Sequence, residues 1–342
     1  MSYPYFKGTG DTADHNKWIE VPPPRHAAET LPQYYEADKA LTDAVNVALL
    51  MGRPLLLTGD PGTGKTQLAH RLAWELGLDK PEVFETKSTS VARDLFYIWN
   101  ALQRFHDVEC QAARDHHAYI HFNALGRAIL RSLDPSDIAH LIDRKILPED
   151  AEKRREGPRR SVVLIDEIDK APTDFPNDIL NEIEQLYFKI PEIDNIRIPA
   201  EEKTLPYAPV VVITSNSEKH LPGPFLRRCV YHHIAFPDEK RMARIVMNRL
   251  RHIPDPEGRK SEPSEAFVRD AVDLFFELQA KTGNRLSTGE LIVWMQAMRE
   301  ISKKDNPIAQ DRELAADAIG ALVKTGAIEA ARQHVLEWKS GG

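Results

Sequence analysis

Residues Gly59-Asp60-Pro61-Gly62-Thr63-Gly64-Lys65-Thr66 constrain this chain more than any other stretch, because they join an apolar run to an amphipathic one through a glycine-rich turn. They satisfy the pattern G-x-x-x-x-G-K-[ST] at every position. Glycines at 59, 62 and 64 let backbone N–H groups curl around phosphate oxygens, Lys65 adds a point charge, and Thr66 offers a hydroxyl to Mg²⁺. Upstream, Pro54-Leu55-Leu56-Leu57-Thr58 is a short apolar run suited to a strand buried on both faces, as in a parallel sheet. Downstream, Leu68, Leu72 and Leu76 recur at i, i+4 and i+8, which predicts a helix starting at the loop, with Gly77 as its left-handed cap. Such a helix aims its positive end at the phosphates. The fold class that follows is α/β, with a nucleoside triphosphate bound at the loop.

The chain of 342 residues exceeds one typical core and predicts two domains. With 42% hydrophobic and 28% charged residues it reads as a globular protein. A net charge of −7 argues against a wholesale nucleic-acid surface, though a local basic groove stays possible. Cys110 and Cys229 are far apart and show no ligand spacing, so a reducing cytoplasmic location is expected, without disulfides or zinc. No apolar run approaches membrane-spanning length, and Met1 to Tyr5 lacks the basic-then-apolar order of a secretion signal.

Three regions are expected along the chain. Residues 1–33, with Pro22-Pro23-Pro24, read as an extended arm, either a disordered tail or a segment packing on a neighbouring subunit. Residues 34–237 read as an αβα sandwich around a parallel sheet. Its first helix carries Leu41, Val45 and Ala48 and stops at Gly52; its strands are the run before Gly59, Glu82 to Lys87, Ser161 to Asp166 and Pro209 to Thr214. Residues 88–160 are too long for a simple crossover and predict an insertion, with helical patterns over Asp94 to Gln111, Leu125 to Leu133 and Ser136 to Ile142, the last capped by Ser136. The charge run Lys153 to Arg160 reads as a solvated loop. A helix is expected from Thr173 or Asp174, and a hairpin between Phe188 and Ile198. Residues 238–342 read as a smaller all-α lid domain, with helices over 238–251, 264–281, 288–302, 311–324 and 327–338.

Asp166-Glu167 closes the most apolar strand. Ligands of an open α/β sheet sit beyond the carboxyl ends of its strands, where this pair and the glycine loop both emerge. Asp166 can hold Mg²⁺ through water, and Glu167 can orient and deprotonate an attacking water. His117 and His121 stand at i, i+4, but no third ligand is near, and metal binding there is not expected.

Several motifs together carry a family resemblance. Gly59 to Thr66 matches a Walker A loop, and Val162 through Ala171 matches Walker B. Ile213-Thr214-Ser215-Asn216 resembles sensor 1, and Pro224-Phe225-Leu226-Arg227-Arg228-Cys229 resembles the segment that carries an arginine finger. On these residues the chain resembles AAA+ ATPases and, within them, the MoxR family of the helix-2-insert branch. The resemblance covers about residues 34–302. It implies ATP and Mg²⁺ as cofactors, with nucleotide contacts from Gly59, Asp60, Pro61, Gly62, Thr63, Gly64, Lys65, Thr66 and Gln67, and metal contacts from Thr66 and Asp166. Catalytic roles fall to Lys65, Glu167, Asn216 and Arg228, with Arg227 the near alternative to Arg228. It also implies a homo-oligomeric ring, usually a hexamer, acting as a chaperone-like remodeller of a partner that carries a von Willebrand factor A domain.

One segment departs from the pattern. Thr288, Gly289 or Glu290 stands where related lids carry a sensor 2 arginine, and Arg285 lies a few residues earlier. Slow turnover is therefore one expectation. Two other function classes stay open, an ATP-gated assembly module with negligible hydrolysis and a nucleic-acid motor built on the same domain. Net charge and the lack of a basic strip interleaved with aromatics weigh against the second.

Overall fold

The computed structural model describes residues 32–112, 115–138, 157–201, 203, 205–216, 221–253, 262–283, 285–302 and 304–339. Residues 1–31 of the arm expected over 1–33, the middle of the insertion over 139–156, and the loop at 254–261 lie outside the described residues; Pro32–Tyr34 form a 3₁₀ turn.

Five strands form one sheet: β1 (Leu55–Thr58), β2 (Glu82–Glu85), β3 (Val162–Asp166), β4 (Val210–Ser215) and β5 (Val230–His233). Their order is β2-β3-β4-β1-β5, and every neighbouring pair is parallel. Among the described residues, helices of eight residues or more are α1 (Lys39–Met51), α2 (Lys65–Glu75), α3 (Ala101–Glu109), α4 (Ala124–Arg131), α5 (Glu239–His252), α6 (Glu265–Thr282), α7 (Thr288–Ile301) and α8 (Ile328–Glu337). A parallel sheet needs crossovers that cover its faces, so its inner strands carry apolar side chains on both. Leu55 to Leu57, Val162 to Ile165 and Val211 to Ile213 are accordingly buried. The sheet is the parallel αβα arrangement that the apolar runs predict.

Register places the site. Thr58 pairs with Ser215 and with His233, Ile165 pairs with Ile213, and Glu85 pairs with Asp166. The carboxyl ends of all five strands therefore share one edge. α1 stops where expected, at Gly52, whose φ of 61° is left-handed.

The insertion differs from its helical reading. In place of one helix over 94–111 there is a single 3₁₀ turn at Ala92–Leu95, a strand Tyr97–Trp99, and then α3. That strand pairs antiparallel with Ile120–Phe122, Tyr97 opposite Phe122. Tertiary packing overrides the helical spacing: Phe96 stacks on Phe188 with ring centroids 5.4 Å apart, and the Tyr97 hydroxyl donates to Glu192 at 2.8 Å. Asn100 then caps α3, its Oδ1 accepting the Gln103 N–H at 3.0 Å. Asp134, not Ser136, caps the turn Pro135–Ile138, its carboxylate accepting both the N–H and the hydroxyl of Ser136. The hairpin Phe188–Ile190 with Ile196–Ile198 forms as expected, turned by Asp194 and Asn195 at φ 48° and 55°.

Among the described residues, 37–235 make one compact unit, and 32–36 with those from Phe236 onward make a second. The second unit is helical among its described residues. Phe267, Ala271, Leu274 and Leu278 of α6 pack with Met242, Val246 and Leu250 of α5 and with Trp294 and Met295 of α7 in one core. Instead of a continuous helix over 311–324 there are short helical segments at Pro307–Gln310, Arg312–Asp317 and Ala318–Ala321, the first two separated at Asp311, whose φ of −152° and ψ of 64° are not helical. No helix among the described residues is long and apolar enough to cross a membrane.

Candidate active site

The glycine loop leaves β1 at the carboxyl edge with φ values of 145° at Gly59, 80° at Gly62 and 89° at Gly64. Thr63 tightens it, its hydroxyl donating to the Asp60 carbonyl at 2.8 Å. Gly59 lies against the backbone that follows β5, and a Cβ there would stand 2.5 Å from the Ile234 carbonyl oxygen. The helix after the loop starts at Lys65, and Gly64 supplies no side-chain cap. The first N–H groups of a helix have no intrahelical acceptor, so those of Lys65, Thr66 and Gln67 are left for an anion. Gln67 Oε1 is itself buried without a hydrogen-bond partner.

Lys65 is buried, and its Nζ donates to the carbonyls of Gly59 at 2.7 Å and Asp60 at 3.0 Å. Burial pushes its ammonium below the usual lysine range, against the opposing pull of Asp169, Asp166, Asp60 and Glu167. Both acceptors at the ammonium are neutral carbonyls of the loop, so a phosphate oxygen would be a stronger partner than either.

β3 delivers Asp166 beside this loop. The Thr66 hydroxyl donates to Asp166 Oδ1 at 3.0 Å and lies 3.2 Å from Oδ2, while the Thr214 hydroxyl donates to Oδ1 at 2.6 Å. The Thr66 hydroxyl and the Asp166 carboxylate are side by side as the hard oxygen donors that would hold Mg²⁺, Asp166 through a bound water. The residues present thus fit both a phosphate chain and its cation.

Glu167 turns the chain with φ 54° and ψ 53°, and its N–H donates to Thr214 Oγ1 at 2.8 Å. Its carboxylate accepts from Asn216 Nδ2 at 3.2 Å on Oε1 and from Lys170 on Oε2. Burial pushes this carboxyl up, but the Lys170 and Asn216 hydrogen bonds outweigh it, and Glu167 is held below the usual glutamate range. Asn216 is fixed in turn, its N–H donating to Asp169 Oδ1 at 3.1 Å.

Lys65, Thr66, Asp166, Glu167 and Asn216 therefore converge at one sheet edge. Arg228 stands elsewhere: after the turn Gly223–Leu226 its Nε donates to Glu184 at 2.7 Å and a terminal nitrogen to the Pro224 carbonyl at 3.3 Å. The Arg227 carbonyl accepts from Arg53 at 3.4 Å. In the helical unit, Ser287 and Glu290 cap α7 reciprocally, so Glu290 is committed to the helix start. His117 pairs with Asp115, and no group of three or more metal-ligating side chains exists among the described residues.

Sequence reasoning assigned no role to Thr214, Asp169 or Lys170. Thr214 ties the Asp166 carboxylate to the Glu167 backbone, and Asp169 orients Asn216. Their signal was adjacency to the acidic pair and to Asn216, which carries no chemistry until β3 and β4 are known to be neighbours.

A family model described as "ATPase family associated with various cellular activities (AAA)" matches residues 55–238, just over half of the chain. No curated protein matches it. Among solved structures, the chain is similar to the Thermotoga maritima RuvB Holliday junction branch migration motor, at 16% identity and a TM-score of 0.43, over 82% of this chain and 66% of that one. A mutant of the same RuvB gives 15% identity and a TM-score of 0.42, over 82% of this chain and 67% of that one. The chain spans about two thirds of the length of these structures.

Proposed function

The chain belongs to the AAA family of ATPases, and from that premise we propose that it hydrolyses ATP with Mg²⁺ to remodel or activate a partner protein, in the manner of MoxR-type members. The observation that carries the reading is the convergence of Lys65, Thr66, Asp166, Glu167 and Asn216 on one edge of the sheet. Gly59 to Gln67 would hold the triphosphate through backbone N–H groups and Lys65, and Thr66 and Asp166 would hold the ion. When bound, Mg²⁺ neutralises charge on the phosphate oxygens. Glu167 takes the proton of the attacking water, and Asn216, bonded to the same carboxylate, holds that water near the terminal phosphate.

Arg228 is outside this cluster, which favours a role toward the nucleotide of a neighbouring subunit in a ring, proposed as a hexamer. A partner bearing a von Willebrand factor A domain and a cytoplasmic setting rest on the MoxR resemblance and, for the setting, on two free cysteines. An assembly module with little hydrolysis is the second reading. The commitment of Glu290 to a helix cap, with no arginine from 288 to 290, favours it. A Glu167→Gln variant separates the two: it keeps nucleotide binding and loses phosphate release if Glu167 is the base, and unchanged turnover removes that assignment. The same variant, loaded with ATP, is the bait for co-purifying the partner.

A further inference from the structure

We infer that Lys170 is a positioning residue for Glu167, holding one carboxylate oxygen so that the other faces the water beside Asn216. The inference rests on the reading of Glu167 as the general base. Its basis is local geometry. Ile168–Lys170 form a 3₁₀ turn capped by Glu167, closed by the Lys170 N–H to the Glu167 carbonyl at 2.9 Å and the Ala171 N–H to the Ile168 carbonyl at 3.2 Å. Glu167 enters that turn with left-handed backbone, φ 54° and ψ 53°, and Lys170 three residues on returns its side chain to the glutamate. Its Nζ donates to Oε2 while Asn216 donates to Oε1 at 3.2 Å, and each carboxylate oxygen has one donor. The turn is itself anchored, because Asp169 within it accepts the Asn216 N–H at 3.1 Å and Ile168 is buried. Two donors, one on each oxygen, oppose rotation of the carboxylate away from the site. Orientation of a reacting group is worth large factors in rate, whereas a half-exposed ion pair contributes little to folding.

That contrast sets the test. Phosphate release and thermal unfolding are measured for the full-length protein as Lys170→Met, Lys170→Arg, Glu167→Gln and the Glu167→Gln/Lys170→Met double variant. The expected result is about a tenfold fall in kcat for Lys170→Met with KM for ATP within about twofold and Tm unmoved, recovery of most of the loss by Lys170→Arg, and no further loss in the double variant beyond Glu167→Gln. Turnover that is unchanged or raised in Lys170→Met overturns the inference, as does a loss that Lys170→Arg does not recover or that travels with a lowered Tm. If Glu167→Gln is inactive and Lys170→Met is normal, the lysine inference alone fails. If Glu167→Gln turns over normally, the base assignment fails and takes this inference with it.

Discussion

The Thr66 hydroxyl and the Asp166 carboxylate meet at 3.0 Å although 100 residues separate them in the chain. The contact joins the start of α2 to the end of β3, and it places two hard oxygen ligands side by side. An Asp166→Asn change keeps the shape, since the amide oxygen can still accept from Thr214 and the amide nitrogen can donate to the Thr66 hydroxyl. It removes the charge an ion needs. Phosphate release should fall about 100-fold at saturating ATP, and half-maximal activity should need more Mg²⁺, while Tm stays within a few degrees. A Mg²⁺ titration of the variant that overlays the wild type counts against the ion site.

Gly59 has two independent reasons to be glycine. Its φ of 145° is one that L side chains rarely adopt, and a Cβ would meet the Ile234 carbonyl oxygen at 2.5 Å, a backbone atom that can move only with the chain leaving β5. Gly52 at φ 61° has the first kind of constraint and open space around it. Gly59→Ala should therefore lower Tm more than Gly52→Ala, the latter costing about 1 kcal/mol and the former about 2–4 kcal/mol. Equal shifts for the two variants in a thermal melt would show that the close approach to Ile234 is not felt.

What the sequence shows and what it hides follow from how far apart the interacting residues lie. The glycine loop is contiguous, so its motif and its flanking strand and helix were legible together. β3 and β4 were legible because burial on both faces makes continuous apolar runs, as in Val162 to Ile165. The strand Tyr97–Trp99 was not, because three residues are too few to show alternation and their partners lie at Ile120–Phe122. α3 hides its orientation for another reason: it buries Asp107, which accepts from Tyr119 at 3.1 Å and Gln103 at 2.7 Å, and exposes Leu102, Phe105 and Val108. Reading its apolar stripe as the inward face gives the opposite answer. Lys170 and Thr214 matter only through β3–β4 neighbourhood and the 3₁₀ turn, neither of which periodicity encodes.

The two cysteines should separate cleanly in reactivity. Cys110 is exposed, whereas burial pushes the Cys229 thiol up to about 12. At pH 8 the reactive thiolate of Cys229 is then about 10⁻⁴ of the total, rising about tenfold per pH unit. Iodoacetamide at pH 8 should label one cysteine quickly and the second only after unfolding. The linkage has a definite sign: a thiol with a raised folded pKa favours the fold fully below its ordinary value of 9.0, and that contribution is lost as pH rises from there toward about 12. Rapid labelling of both sites in native protein, read by mass spectrometry, contradicts the buried environment of Cys229.

Arg228 and Glu184 offer a way to distinguish a structural ion pair from an arginine that acts on a nucleotide. Their side chains are 38% and 48% exposed, and pairs of that kind contribute about 0–1 kcal/mol to stability. If the pair is the whole role of Arg228, then Arg228→Ala and Glu184→Gln remove the same contact and should have the same small effect. If Arg228 stabilises the charge of phosphoryl transfer, Arg228→Ala should cut turnover by about 10³-fold with nucleotide affinity retained, and Glu184→Gln should leave turnover at or above the wild-type level because it frees the guanidinium. Mixing decides where the arginine acts. Subunits carrying Arg228→Ala keep an intact Glu167, and subunits carrying Glu167→Gln keep an intact Arg228, so mixed assemblies should recover phosphate release if the arginine of one subunit serves the site of the next. Matching losses in Arg228→Ala and Glu184→Gln point to the salt bridge alone, and a selective loss in Arg228→Ala without recovery on mixing counts against action at a neighbouring subunit's site.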